Sequence, residues 1–151
     1  WDWAVAAYAR SGVAPACLTL QDIHGQNVPL LLWAAWAAQT GRPTDEETLE
    51  AACDMARAWS DNAVTPLRSL RRTLKAVIPD MDTDNRLALR DQVKALELEA
   101  ERHLLTDLAA LTPTVDRSPR PASEGLLAVA RVWHRTVPRS ALNDLSEMLS
   151  A

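Results

Sequence analysis

The sequence predicts an all-α fold, a single compact bundle of about seven helices around a buried central helix near residues 28–38. Three observations predict it. Apolar residues recur every three or four positions, and no segment alternates apolar with polar as a half-buried strand would. The chain has 6 Trp, 1 Tyr and no Phe, so alanine, leucine and tryptophan must build its core, and those residues suit packed helices. Glycine and proline fall between the periodic segments rather than inside most of them.

The first segment, Trp1 to Arg10, puts Trp1, Val5 and Tyr8 on one stripe widened by Trp3, Ala6 and Ala7, with Gly12 as a left-handed cap. Pro15 sits in the first turn of a second short helix carrying Ala16, Cys17, Leu18 and Leu20. Asn27 can cap a third helix with Pro29 in its first turn; Leu30, Leu31, Leu32, Trp33 and Trp36 cover its faces, which marks it as the buried centre, and Gly41 closes it. Thr44-Asp45-Glu46-Glu47 fits a Thr-x-x-Glu capping box for a fourth helix that buries Leu49, Ala52, Cys53 and Ala56. A fifth helix is expected to start at Thr65-Pro66, with Leu67, Leu70, Leu74, Val77 and Ile78 at helical spacing.

Pro79 to Asp84 reads as a loop, and Asn85 to Leu111, free of Gly and Pro, as one long helix with the stripe Leu89, Val93, Leu96, Ala100, Leu104, Leu108 and Leu111. Residues 112–123, TPTVDRSPRPAS, form a proline-rich linker or ordered strap within the single domain 1–151. The helical part 124–151 follows. Leu126, Leu127, Ala130 and Trp133 lie on one helix broken at Pro138, and Ser140 caps a last one carrying Leu142, Leu145, Met148 and Leu149.

At 151 residues the chain can bury a core without staples. A net charge of -4 disfavours general nucleic-acid binding. Cys17 and Cys53 lie among apolar residues and read as buried free thiols of a reducing cytosol, a disulfide being the alternative. The longest apolar run, Val28 to Ala38, is too short for a transmembrane span, and Trp1-Asp2-Trp3 has the wrong flanks for a signal peptide. The expected location is the cytoplasm.

Three groups of residues are candidate sites. The knot Gln21, Asp22, His24 and Asn27 gathers polar groups beside the most apolar run of the chain. Asp22 and His24 offer an acid/base or metal pair. Equally, Asp22 or Gln21 can satisfy helix-end backbone groups, with Gly25 at positive φ and Asn27 as a cap. No paired His, Glu-x-x-His or Cys-x-x-Cys spacing supports a metal; His103 and His134 stand alone, and Glu97, Glu101 and His103 miss the bundle-metal step. No cofactor is implied. Arg68, Arg71, Arg72 and Lys75 form a basic row suited to an acidic protein partner or an anionic small molecule or lipid, or else a solvated face paired with Asp80, Asp82, Asp84 or the acids at 45–54. Trp3, Trp33, Trp36 and Trp59 can line an apolar pocket or fill the core.

The run Tyr8-Ala9-Arg10-Ser11-Gly12-Val13, then Cys17-Leu18-x-Leu20-Gln21-Asp22-x-His24-Gly25, Val28 and Leu30-Leu31-Leu32-Trp33 with Trp36, resembles a family of small uncharacterised proteobacterial proteins, a domain of unknown function of about this length. The resemblance reaches residue 78 through Trp59 and Pro66-Leu67-Arg68-x-Leu70-Arg71-Arg72-x-Leu74-Lys75. It implies a bacterial, cytosolic protein and no particular activity. The leading functional expectation is a non-catalytic interaction or regulatory protein using the basic face. A small-molecule or lipid-binding module with a Trp/Leu-lined pocket is the alternative, and an enzyme centred on Asp22 and His24 is the third reading.

Overall fold

The computed structural model describes residues 1–150, and all of its regular elements are helical. They are α1 (Asp2–Tyr8), α2 (Val13–Asp22), α3 (Val28–Gln39), α4 (Glu46–Trp59), a π-helical turn (Ser60–Val64), α5 (Thr65–Thr73), α6 (Thr83–Ala110), α7 (Ala122–Trp133) and α8 (Arg139–Ser150). The all-α expectation is met. The join between α4 and α5 differs from it: the helix runs unbroken from Glu46 to Thr73. Pro66 has no N–H to give the preceding turn, and widening to π geometry accommodates that loss without ending the helix.

Helix α3 is the axis. Asn27 Oδ1 accepts from Leu30 N at 2.9 Å, so the cap is the one its sequence proposes. From Pro29 to Ala38 every residue except Trp36 is buried. Such a helix is stable only when sheathed on all sides. Its closest neighbour is α7, where Gly125 brings the two backbones together. A Cβ added there would lie 2.2 Å from Ala34 O and 3.2 Å from Ala38 Cβ. Leu49, Ala52, Cys53 and Ala56 of α4 complete another wall as predicted. Both cysteines are buried and free, and burial pushes the thiols up to about 12 for Cys17 and about 11 for Cys53.

Several local expectations are corrected. Asp45, not Thr44, caps α4, its side chain accepting from Thr48 N at 2.9 Å, so the Thr-x-x-Glu box does not form. Gly12 is left-handed, at φ 83°, but it precedes α2 rather than closing α1, which ends at Tyr8. Helix α8 begins at Arg139, which puts Ser140 inside the helix rather than at its cap. In α1 the core-facing residues are Ala4 and Ala7, whereas Trp1, Val5 and Tyr8 stay exposed. Small side chains let α1 lie close to α3, and the bulky row overhangs instead. In α6 the inward positions are Arg86, Val93, Glu97, Ala100, Leu104 and Leu108, while Leu89 and Leu96 face outward.

The proline-rich segment is an ordered strap over the end of α3. Arg117 N and Asp116 N donate to Gly41 O, Arg120 N donates to Ala38 O at 2.8 Å, and the Arg42 guanidinium reaches Thr112 O. At the same end of α3, Leu149 O accepts from both Arg10 and Gln39, which ties α8 to α3.

The Gly125 contact yields a stability prediction. Gly125→Ala should lower the unfolding free energy by about 1–3 kcal/mol because α3 and α7 must separate. Gly25→Ala meets no atom within 4 Å and carries only the strain of φ 63°, so it should cost about 1 kcal/mol. Urea unfolding of the two variants checks the ordering; an unperturbed Gly125→Ala would contradict the close approach.

Candidate functional site

The main opening in the sheath around α3 lies at its first turns. Between α1 and α6 lies a groove of about 860 Å³, floored by Val28, Pro29 and Leu32 at the first turns of α3. One wall is the overhanging row Trp1, Val5 and Tyr8 of α1, with Leu18 of α2 beyond it. The other is the α6 face that carries Lys94, Leu98, Glu101 and Leu105. These positions step at three and four residues, so from Asp91 to Leu105 the wall runs roughly 21 Å along the helix axis. The volume lies within the range of small-molecule sites, and the walls are mainly apolar.

The polar end of the groove belongs to α5. No residue from Thr65 to Thr73 is buried, and Leu70 is exposed, as is Val77 beyond the helix end. Of the expected stripe only Leu74, at the helix end, is buried, and Leu67 and Ile78 are half-buried, so leucines do not seat the helix along its length. What faces α6 instead is Arg68 and Arg71. Arg68 Nε donates to Glu97 Oε1 at 2.8 Å and its Nη2 to Glu101 Oε1 at 2.9 Å. Arg71 Nε donates to Glu97 Oε2 at 2.5 Å, and its Nη2 to Glu97 Oε1 at 3.4 Å. All four residues line the groove. A second tie joins the two helices: the buried Arg86 side chain donates to Leu74 O and Lys75 O at the end of α5.

The two carboxylates of this quartet differ. Burial opposes the charge on Glu97, yet the hydrogen bonds from Arg71 and Arg68 outweigh it and hold the carboxyl below its ordinary value. Glu101 is raised, with burial as the main cause and the Glu97 charge adding to it, against the single pull of Arg68 and a weaker one from Arg71. Burial likewise raises Tyr8 across the groove, helped by the charge on Glu101.

The predicted site residues are distributed as follows. Of the basic row, Arg68 and Arg71 pair with Glu97 and Glu101, and Arg72 Nη2 donates to Asp22 Oδ1 at 3.2 Å. These are not the acids expected at 80–84 or 45–54, because α5 lies alongside α6 rather than folding back on α4. Lys75 is exposed. The knot is divided: Gln21 faces the groove, and exposed Asp22 is held by Gln21 and Arg72, which lower its carboxyl. Asp22 and Gln21 do not cap α2, since Gln26 N takes the Leu20 carbonyl. His24 is half-buried, its carbonyl accepting from Gln26 Nε2 at 3.5 Å, and neither Asp22 nor His24 lines the groove. Asn27 caps α3 and also donates to Ser60 Oγ in the π turn at 2.9 Å.

The tryptophans also separate. Trp3, Trp33 and Trp36 join Trp1 around a smaller cleft of about 250 Å³ that shares Trp1, Ala4, Leu32 and Leu105 with the main groove. Trp33 is core, and Trp36 stacks under the Arg42 guanidinium at 4.2 Å. Trp59 stands elsewhere, stacked on His103 and donating to Asp107 at 2.8 Å. Among the described residues no three His, Cys, Asp or Glu side chains converge to hold a metal ion, and no helix is long and apolar enough to cross a membrane. The groove residues not anticipated as a site from the sequence include Glu97, Glu101, Tyr8, Leu98 and Leu105. A glutamate at the inward position 97 of α6, opposite two arginines one turn apart on the preceding helix, is the signal that announces the quartet.

Residues 1–108 match the family model described as a protein of unknown function, DUF2390. The chain belongs to the DUF2390 family. The family match extends beyond residue 78 to the last inward leucine of α6, so every groove residue falls inside the DUF2390 region while the strap, α7 and α8 lie outside it. No curated protein and no solved structure matches the chain.

The unlike carboxylates yield the second prediction. Glu97→Gln leaves two guanidinium groups short of a partner and should cost about 3 kcal/mol at neutral pH. A lowered carboxyl stabilises above its unfolded value of 4.5 and loses that contribution as pH falls through the folded value, so the deficit should fade in acid below 4.5. Glu101 is raised, so its ionised form is a liability at neutral pH, and Glu101→Gln should leave stability within about 0.5 kcal/mol of wild type or increase it. Thermal unfolding against pH separates the two.

Proposed function

We propose that this protein is a ligand-binding helical module whose α1–α6 groove takes an amphiphile, its apolar body along α3 and its polar head at the Arg68–Glu97–Arg71–Glu101 end. The observation that carries the reading is the groove itself. Trp1, Val5, Leu18 and Leu98, large apolar side chains between 40% and 53% exposed, all open onto one slot that ends in a hydrogen-bonding quartet. A soluble protein rarely leaves such a contiguous apolar surface uncovered without using it.

The geometry favours the groove over the basic row as a docking face, because Arg68, Arg71 and Arg72 are already paired with carboxylates of the chain. It also favours binding over a reaction at Asp22 and His24, which do not share the groove. The resemblance to proteobacterial proteins and the two buried free thiols support a bacterial, cytoplasmic setting.

The neutral dye N-phenylnaphthylamine tests the reading. Its emission should rise saturably with wild-type protein. Val5→Arg and Leu98→Arg, both at well-exposed positions that folding tolerates, should each weaken that binding at least about tenfold without moving the melting point. Absence of saturable binding, or variants that bind like wild type, would refute it.

A further inference from the structure

Within the quartet the bonds are unequally shared. Both oxygens of Glu97 are taken up by two guanidinium groups, through three hydrogen bonds. Glu101 has one, from Arg68 Nη2. Among the described residues Arg68 Nη1 and Arg71 Nη1 have no protein partner, so the outer edge of the Arg68 fork is only half used. A guanidinium edge of that kind matches a carboxylate in two parallel hydrogen bonds. Glu101 therefore occupies, singly and at the rim of an apolar groove, the position that a ligand's own carboxylate would occupy doubly.

Resting on the groove reading, we propose that the site selects an apolar-chain monocarboxylate, whose head displaces Glu101 from the Nη1/Nη2 edge of Arg68 while its chain follows Leu98, Leu32 and Leu105 toward Trp1. Arg71 and Glu97 stay locked together and hold Arg68 in place through Glu97. Arg68 is the head-binding residue, and Glu101 is a placeholder that keeps the empty groove neutral.

Charge balance follows. The quartet carries two cations and two carboxylates, and a third carboxylate would leave it net negative. Glu101 meets that by taking one proton from solvent as it leaves Arg68, so the ligand and one proton bind together. The groups facing Glu101 are Tyr8 from α1, Arg68 and Arg71 from α5, and Glu97 one turn earlier on α6. Burial and the Glu97 charge already disfavour its ionised form, which keeps the cost of that proton low.

Displacement of N-phenylnaphthylamine by dodecanoate, dodecanol and dodecylamine tests the inference, because the three share a chain and differ in head. On wild type, dodecanoate should displace the dye at a concentration at least about tenfold below either of the others. Arg68→Gln should abolish that advantage and keep dye binding. Arg68→Lys, which retains the charge and lacks the fork, should lose most of it. Dodecanoate binding to wild type should weaken as pH rises above the ordinary carboxylate value of 4.5, by at most about tenfold per unit for one coupled proton, and Glu101→Gln should flatten the profile. If Arg68→Gln does not fold, the head series and the Glu101→Gln profile decide. Dye binding with no preference for dodecanoate, or an unchanged pH profile in Glu101→Gln, overturns the carboxylate inference and leaves the groove reading intact. No dye binding at all overturns both.

Discussion

Everything in this fold depends on covering α3. A helix apolar around its whole circumference has no stable place at a surface, so the other elements are arranged as its sheath. The tightest part of the sheath is the α3–α7 contact, where Gly125 lets one backbone rest on Ala34. Dispersion and apolar burial both grow as helices approach, and a glycine opposite alanines gives the closest approach that side chains permit. The strap then follows the end of α3, its Arg120 N–H donating at 2.8 Å to Ala38 O, which also accepts from Gly41 N at 3.2 Å. The same constraint explains the groove. The main opening lies at the first turns of α3, where α1 and α6 stand apart over Val28, Pro29 and Leu32.

The quartet closes the polar end of that groove by joining α5 to α6. Between Thr65 and Thr73 helix α5 buries no residue, so apart from Leu74 at its end it is held to α6 by ion pairs and by the Arg86 contacts. Partly buried ion pairs contribute little net stability once their desolvation is counted, but losing one partner is expensive. Such pairs therefore hold position more than they add energy. Here they hold two guanidinium groups at the mouth of an apolar slot, and that placement turns a gap in the packing into a site with a defined polar end.

Much of the architecture was legible in the chain. Asn27, Pro29 and the unbroken apolar run announced α3, and Leu49, Ala52, Cys53 and Ala56 announced the wall that α4 gives it. Features set by local chemistry and by one helical face can be read without knowing the neighbours. The site was less legible, because it depends on which face an ambiguous helix turns inward. On α6, Leu89 and Leu96 looked like core while Glu97 looked like surface; the opposite holds because the facing helix offers arginines rather than leucines. On α1, the large residues read as the buried stripe, yet alanines won the inner face because closeness to α3 favours small side chains. The Arg68–Lys75 row was visible as a row, and only its partners needed the third dimension.

The most direct measurement of the central claim is amide hydrogen exchange with and without saturating dodecanoate. Occupancy of the slot should slow exchange in α1, in the first turns of α3 and over residues 94–105 of α6, and leave α7, α8 and the strap unchanged. Protection elsewhere, or none along α1 and α6, would contradict a ligand site in the uncovered sector of α3.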